Sequence, residues 1–551
     1  MEWWKKTIVY ECYPKSFCDT KDQGSGTIKG ITSKLDYLKS LGVGAIWITP
    51  VYSSPMVDNG YDVADYYAID PLYGDMADMD ELIGEAKKRD IRIVMDLVFN
   101  HSSDKCAWFI ESASSRDNPK AYWYVWRDPK EDGSAPSNWR ALFGGSAWKW
   151  CETRKQYYLH SFAAEQPDLN WENKEVRKAL YDVANFWVDK GIGGFRVDAI
   201  SYIKKPEVFL DGEVDGADGL ADLNKIGRNK EGILDFLKEF RKEVREGKDI
   251  FLVGETNSVD VKQLKKWVGE DGVFDMVIEF THISPEFRNN EKWCEPEEWT
   301  LKDLKQNIIS FQYAINDEGW LPIYFENHDK PRLVSHYFRD DIDKKKAAKL
   351  MAVLQMCLRG TPFIYQGQEI GMSNVAYADI NDYDDISSYT QYELALAEGY
   401  SKQEALAGVH NFSRDNCRTP MQWDDGEFAG FSKAKPWLAV NDNYKEVNVK
   451  RQEEDPSSVL NFYRELSKLR QKHKALIEGR FRSHEDESDE VFIFDRTDEE
   501  ETIRILLNFM DYEVKIDPKY EEDMDLLLYS EEDHEKGRLK PLEALLIVKY
   551  R

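Results

Sequence analysis

Four short motifs stand in a fixed order along this chain, each where an apolar run ends. They are Asp96-Leu-Val-Phe-Asn100-His101, Gly194-Phe-Arg196-Val-Asp198, Val253-Gly-Glu255-Thr256 and Phe325-Glu-Asn327-His328-Asp329. The runs that precede or contain them (92–95, 192–197, 250–253 and 321–325) read as buried strands. Strands buried on both faces belong to parallel sheets. A parallel α/β barrel places the residues at the C-terminal ends of its strands on one common face. This chain puts acids and imidazoles at those ends, so Asp198, Glu255 and Asp329 are expected to meet in one pocket. Clustered carboxyls of this kind suit acid-assisted cleavage of a glycosidic bond.

Eight buried-strand candidates can be read: 8–10, 45–48, 92–95, 194–197, 250–253, 276–280, 321–325 and 362–365. Amphipathic stretches such as 79–89, 174–190, 230–244 and 343–358 separate most of them. This alternation marks β/α units. The expected fold is α/β, a closed (β/α)8 TIM barrel with an inserted subdomain after strand 3 and a C-terminal antiparallel β domain. The barrel takes 1–101 and 173–478. Residues 102–172, rich in Trp, Pro, Gly and Ser, form the insertion. Residues 479–551 change to short strands between acidic turns and read as a sandwich-like β domain. A second long insertion, 372–423, follows the eighth strand.

Composition narrows the partners. A net charge of -28 over 551 residues argues against nucleic acid or anionic membrane. The expected partner is a small oligosaccharide. The sequence leaves oligomeric state open and favours a monomer. Seven scattered cysteines, an odd number with no C-x-x-C pair, read as reduced thiols of a cytoplasmic protein. No apolar stretch is long enough for a transmembrane helix, and the N-terminal residues lack the pattern of a signal peptide.

Further motifs sharpen the reading: Asp58-Asn-Gly-Tyr61-Asp62, Gln166-Pro-Asp-Leu-Asn170, and Ser413-Arg-Asp-Asn-Cys-Arg-Thr-Pro-Met-Gln-Trp423. With the first four, they resemble glycoside hydrolase family 13, the α-amylase superfamily, in its α-glucosidase and oligo-1,6-glucosidase branch. The resemblance covers essentially the whole chain. It implies that Asp198 is the nucleophile, Glu255 the acid/base with a raised pKa, and Asp329 the third acid, which grips sugar hydroxyls. Arg196 would aim Asp198. His101 and His328 would donate to sugar hydroxyls, and Tyr61 would form the platform under the terminal glucose. Asp58 and Arg414 would close the far end of the pocket, with Arg418 as a competitor for that pairing. Phe143, Phe162 and Gln166 resemble cleft-wall residues.

Two departures from the family pattern carry expectations. A calcium loop common in this branch has Asp and Asn at alternate positions. Here it reads Asp19-Thr-Lys21-Asp-Gln23-Gly-Ser-Gly-Thr27. Lys21 brings its own positive charge, so no calcium and no other cofactor is expected. In the 1,6-acting type, valine follows the nucleophile and proline follows Glu-Thr. Here Ala199 leaves room at the leaving-group subsite, and Asn257 offers hydrogen bonds there. The expectation is a retaining, exo-acting α-glucosidase that favours α-1,4 over α-1,6 linkages. Oligo-1,6-glucosidase, trehalose-6-phosphate hydrolase and transglycosylase or sucrose isomerase are the alternatives. Non-enzymatic, membrane-anchored relatives lose catalytic carboxylates, and all three stand here.

Overall fold

The computed structural model describes residues 2–216, 218–257, 259–287, 292–485, 487–531 and 533–551. Eight parallel strands form its centre: β1 (Val9–Cys12), β2 (Ala45–Ile48), β3 (Arg92–Val98), β4 (Gly194–Asp198), β5 (Phe251–Glu255), β6 (Met276–Ile278), β7 (Pro322–Ile323) and β8 (Thr361–Tyr365). Hydrogen-bonded neighbours run β6-β5-β4-β3-β2-β1-β8-β7. That is sequence order wrapped around a cylinder, with a seam between β6 and β7.

The barrel is therefore nearly closed, where full closure was expected. At the seam, His282 Nε2 lies 2.9 Å from the Tyr324 carbonyl, and the Tyr324 hydroxyl donates to the Glu279 carbonyl at 2.5 Å. The apolar run 321–325 yields only a two-residue strand. It includes Pro322, which has no N–H to give to a ladder.

Val9, Ala45, Trp47, Val94, Phe251, Val253, Met276, Tyr324 and Phe363 form one buried cluster of strand-borne side chains. Helices pack outside. Lys174–Asp189 buries Leu180, Val183, Ala184 and Trp187, spaced to make one stripe. Met76–Lys88 and Leu301–Ala314 start with reciprocal caps from Asp75 and Thr300.

Between β3 and Lys174–Asp189 lies a small antiparallel sheet of Trp126–Arg127, Gln156–Leu159 and Trp148–Cys151. A further piece joins it: Ala221–Asp222, from the loop after β4, pairs with Trp139–Arg140. The insertion is thus built from two loops. The C-terminal region is a five-stranded antiparallel sheet of β9 (Arg480–His484), β10 (Val491–Thr497), β11 (Glu501–Asn508), β12 (Asp525–Tyr529) and β13 (Ala544–Tyr550), in the order β9-β10-β11-β13-β12. One face supplies Phe492, Phe494, Ile503 and Ile505 to the main core. The other is covered by the small pair Val514–Lys515 and Arg538–Leu539. All seven cysteines are free thiols. Among the described residues no helix is long and apolar enough to cross a membrane.

Candidate active site

Strand register brings the first group of side chains together. Arg196 on β4 is the ladder partner of Asp96 on β3 and of Val253 on β5. Its guanidinium touches three carboxylates. Nη1 lies 2.8 Å from Asp96 Oδ1 and 2.8 Å from Asp198 Oδ1, and Nη2 lies 2.7 Å from Glu255 Oε2. Glu255 Oε2 also accepts from the Ala199 backbone N–H at 2.9 Å. Ala199 reaches that position with φ 46°, a left-handed conformation uncommon outside glycine. Asp96 is fixed further by Trp47 Nε1 and the Tyr61 hydroxyl.

Asp198 and Glu255 share the Arg196 guanidinium. Burial, then Glu255 and Asp96, push Asp198 well above the usual carboxylate range, while Arg196 opposes the rise.

The second group surrounds Asp329. His328 Nε2, Arg418 Nη2 and Arg414 Nη1 approach its carboxylate at 3.1, 2.7 and 3.5 Å. Burial alone would raise its pKa, but these cations hold it well below the usual range. The competition between the two arginines resolves here. Arg414 Nη2 lies 3.3 Å from Asp58 Oδ1, and Arg418 instead donates to Asp329 and the His328 carbonyl. Arg414 is held by a residue that sequence reasoning missed. Asp385, from the second insertion, meets its Nε at 2.7 Å. Locally Asp385 is an ordinary helix cap, so nothing in the sequence marks it.

The walls come next. Tyr61 stacks on His328, with ring centroids 5.4 Å apart and planes 4° apart. Phe143 packs on Phe162 and lies under the Arg414 guanidinium. Its carbonyl accepts from Thr390, which joins the two insertions. Gln166 donates to Asp58 Oδ2 at 3.1 Å and lies 3.2 Å from His101 Nε2.

Two of the expected sugar-facing groups also bond to protein. His101 was expected to donate to sugar, yet its Nε2 lies 3.0 Å from the Tyr61 carbonyl and its Nδ1 lies 3.2 Å from Asn100 Nδ2. Burial lowers its pKa to about 4, so the ring is neutral and both nitrogens are engaged by protein. Asn257 was expected to offer hydrogen bonds to the leaving group. Its Nδ2 instead donates to the Tyr202 hydroxyl at 3.0 Å, and Tyr202 bonds on to Asn224.

The Asp19 loop was tested for a metal by its donor set. Asp19 accepts from the N–H groups of Lys21, Gln23 and Gly24 and from the Ser432 hydroxyl. Lys21 Nζ reaches the Pro71 carbonyl, and Gln23 Nε2 the Leu72 carbonyl at 2.7 Å. Donors stand where a hard cation needs oxygen acceptors, so these residues do not fit calcium.

The alpha-amylase catalytic domain matches residues 11–479. An oligo-1,6-glucosidase of Halalkalibacterium halodurans is 42% identical, with 98% of each chain covered. The chain belongs to the alpha-amylase family of glycoside hydrolases. Among solved structures, the trehalose-6-phosphate hydrolase of Bacillus licheniformis is 38% identical with a TM-score of 0.92, covering 100% of both chains. The isomaltulose synthase of Protaminobacter rubrum is also 38% identical, with a TM-score of 0.94, covering 100% of this chain and 99% of that one.

In this member of the alpha-amylase family, a buried lysine ties the insertion to the barrel. Lys205 Nζ meets Asp168 Oδ2 at 2.6 Å and donates to Asn100 Oδ1 at 3.0 Å and to the Tyr202 carbonyl at 2.5 Å. Asp168 lies in the Gln166-Pro-Asp-Leu-Asn170 motif and is fully buried. Lys205→Met would leave that carboxylate in the interior with no cation. The variant should lose about 3 kcal/mol of stability. A denaturant midpoint equal to that of the parent would show that the pair contributes nothing.

Proposed function

We propose that this chain is an exo-acting, retaining α-glucosidase that releases glucose from short α-glucosides, α-1,4 before α-1,6. The observation that carries the mechanism is the single guanidinium held against both Asp198 and Glu255. Retaining enzymes need their two carboxyls about 5–5.5 Å apart, whereas inverting enzymes leave room for a water. Two carboxyls on one guanidinium fit the first arrangement.

In this reading Asp198 attacks the anomeric carbon while Glu255 protonates the glycosidic oxygen. A covalent glucosyl-enzyme forms, and the aglycone leaves. Glu255 then takes a proton from water, which attacks the same carbon and frees Asp198. Asp329, ionised by His328, Arg414 and Arg418, grips ring hydroxyls and favours the flattened, positively charged transition state. Asp58, Arg414 and Asp385 close the pocket behind the terminal sugar, which limits attack to chain ends. Asp198→Ala should lower kcat on the order of 10⁴-fold or more with the fold retained. Activity within tenfold of the parent would refute the nucleophile assignment.

The linkage preference rests on Ala199 and on Asn257, whose amide spends one of its two hydrogens on Tyr202. The small methyl beside the acid/base leaves space on the leaving-group side. Relatives named oligo-1,6-glucosidase favour the second reading, α-1,6 cleavage. Glucose release from maltose, isomaltose, sucrose, trehalose and trehalose 6-phosphate decides between them. Maltose should lead, and Ala199→Val should raise the isomaltose-to-maltose ratio of kcat/KM about tenfold. Isomaltose ahead of maltose in the parent chain defeats the α-1,4 reading. Turnover of the phosphorylated sugar alone defeats both.

The protein works without a metal at the Asp19 loop, in the reducing interior of a cell. Its donor-filled loop and free thiols support this. Incubation with excess chelator should leave activity and Tm unchanged. A fall in either that added calcium reverses would overturn the metal-free reading.

A further inference from the structure

Glu11, at the C-terminal end of β1, is 2% exposed and makes no approach to the open pocket. Its Oε1 lies 2.6 Å from His328 Nδ1 and accepts from the His328 backbone N–H at 3.3 Å. The other ring nitrogen, Nε2, faces Asp329 Oδ2 at 3.1 Å and the Tyr61 hydroxyl at 2.7 Å. One imidazole therefore stands between two carboxylates, one at each nitrogen.

Ionised carboxylates only accept hydrogen bonds, and a neutral imidazole carries one N–H. Two carboxylates need two hydrogens. They are present if the ring is an imidazolium, or if Glu11 keeps the proton and donates it to Nδ1. Both placements leave a hydrogen on Nε2, the nitrogen that faces the pocket. Tyr61 fits either case, since its hydroxyl can accept from Nε2 while donating to Asp96 Oδ2 at 3.1 Å.

We propose that Glu11 is a positioning residue that fixes a hydrogen on His328 Nε2. That hydrogen is shared by the Tyr61 hydroxyl and Asp329, and with sugar bound it is offered to a glucosyl hydroxyl as well. Glu11 touches no substrate and acts through His328.

The surroundings agree. Burial alone would lower the pKa of His328, but Asp329 and Glu11 together raise it to about 9. The groups facing the ring come from every side: Glu11 and Tyr13 by β1, Trp47 on β2, Tyr61 from the loop beyond β2, Asp96 on β3, and Arg418 at the His328 carbonyl. Arg418 donates to the His328 carbonyl, and Arg196 lies over Trp47 and Tyr61, so the two carboxylates act in the presence of two cations. A histidine with a raised pKa is charged below that value and neutral above it. The doubly protonated state should therefore span neutral pH and disappear near pH 9.

The test uses the intact chain and Glu11→Gln, which keeps shape and an acceptor oxygen while removing the charge. Histidine ¹⁵N NMR, with the His328 signal assigned by its loss in His328→Gln, should show both ring nitrogens of the parent protonated at pH 7.5. In Glu11→Gln the signal should titrate at least about one unit lower. The alkaline limb of kcat/KM should move by the same amount, with a loss of about twofold at pH 8 that grows toward about tenfold by pH 10, and should rejoin the parent at lower pH. A His328 ring lacking its Nε2 hydrogen at pH 7.5 in the parent overturns the proposal, whether or not the variant folds. So does a Glu11→Gln alkaline limb that coincides with the parent's. The NMR arm does not depend on which sugar is cut, so its failure is distinct from failure of the glucosidase reading, on which the kinetic arm rests.

Discussion

Arg196 is the interaction on which the rest of the site depends. A guanidinium 1% exposed, inside a barrel, is tolerable only when its donors are met by charged acceptors. Asp96, Asp198 and Glu255 meet its two terminal nitrogens from three successive strands, while Nε has no partner among the described residues. Lysine offers one point charge and no fork, so it could not hold all three at once. The arrangement comes from register. Because side chains alternate along a strand, Arg196 and Asp198 share a face, and a one-residue slip of β4 would turn both away. Gly194 helps to hold that register. A Cβ there would come 2.2 Å from the Phe251 carbonyl oxygen, so only glycine lets β4 and β5 approach this closely.

Legibility in the sequence obeys the same logic. Buried parallel strands are short apolar runs, and the motifs at their ends are local, so the barrel and its three acids were legible. The seam was less so. Nothing in the run 321–325 says that the strand stops after two residues, beyond the proline within it. Strands β9 and β12 went unread because they are edge strands. The first, Arg-Phe-Arg-Ser-His, alternates charged and buried residues as surface segments do, and the second, Asp-Leu-Leu-Leu-Tyr, is short and mostly exposed or half-buried. Long-range pairings were least legible. Asp385 reads as a helix cap and Glu11 as one more strand residue. Only the folded chain brings them to Arg414 and His328, 29 and 317 positions away. Asn257 is a case of its own: its type suggests a free amide, and a tyrosine from the neighbouring loop takes one of its hydrogens.

The two insertions divide the labour of specificity. The second carries Asp385, Arg414 and Arg418 and so builds the closed floor. The first carries Phe143, Phe162 and Gln166 and builds the wall. They meet where Thr390 donates to the Phe143 carbonyl, and Lys205 pins the first to the barrel. The floor is an ion network and rigid. The leaving-group side is bounded by Ala199 and by the Asn257–Tyr202–Asn224 chain, which is neutral. Recognition of the terminal sugar is thus set by buried charge, and recognition of the leaving group by space.

Charge also explains how an acidic protein can use so acidic a pocket. Glu11, Asp58, Asp96, Asp198, Glu255, Asp329 and Asp385 surround it, against Arg196, Arg414, Arg418 and His328. The acids outnumber the cations. A neutral sugar feels little of this on entry. An oxocarbenium-like transition state, in which positive charge develops at the anomeric carbon, is stabilised by it in a site with little water. A phosphorylated leaving group would meet the same excess as like charge. A chain that cut such a substrate would need cations beyond these, since Arg414 is already committed to Asp58, Asp329 and Asp385, and Arg418 to Asp329.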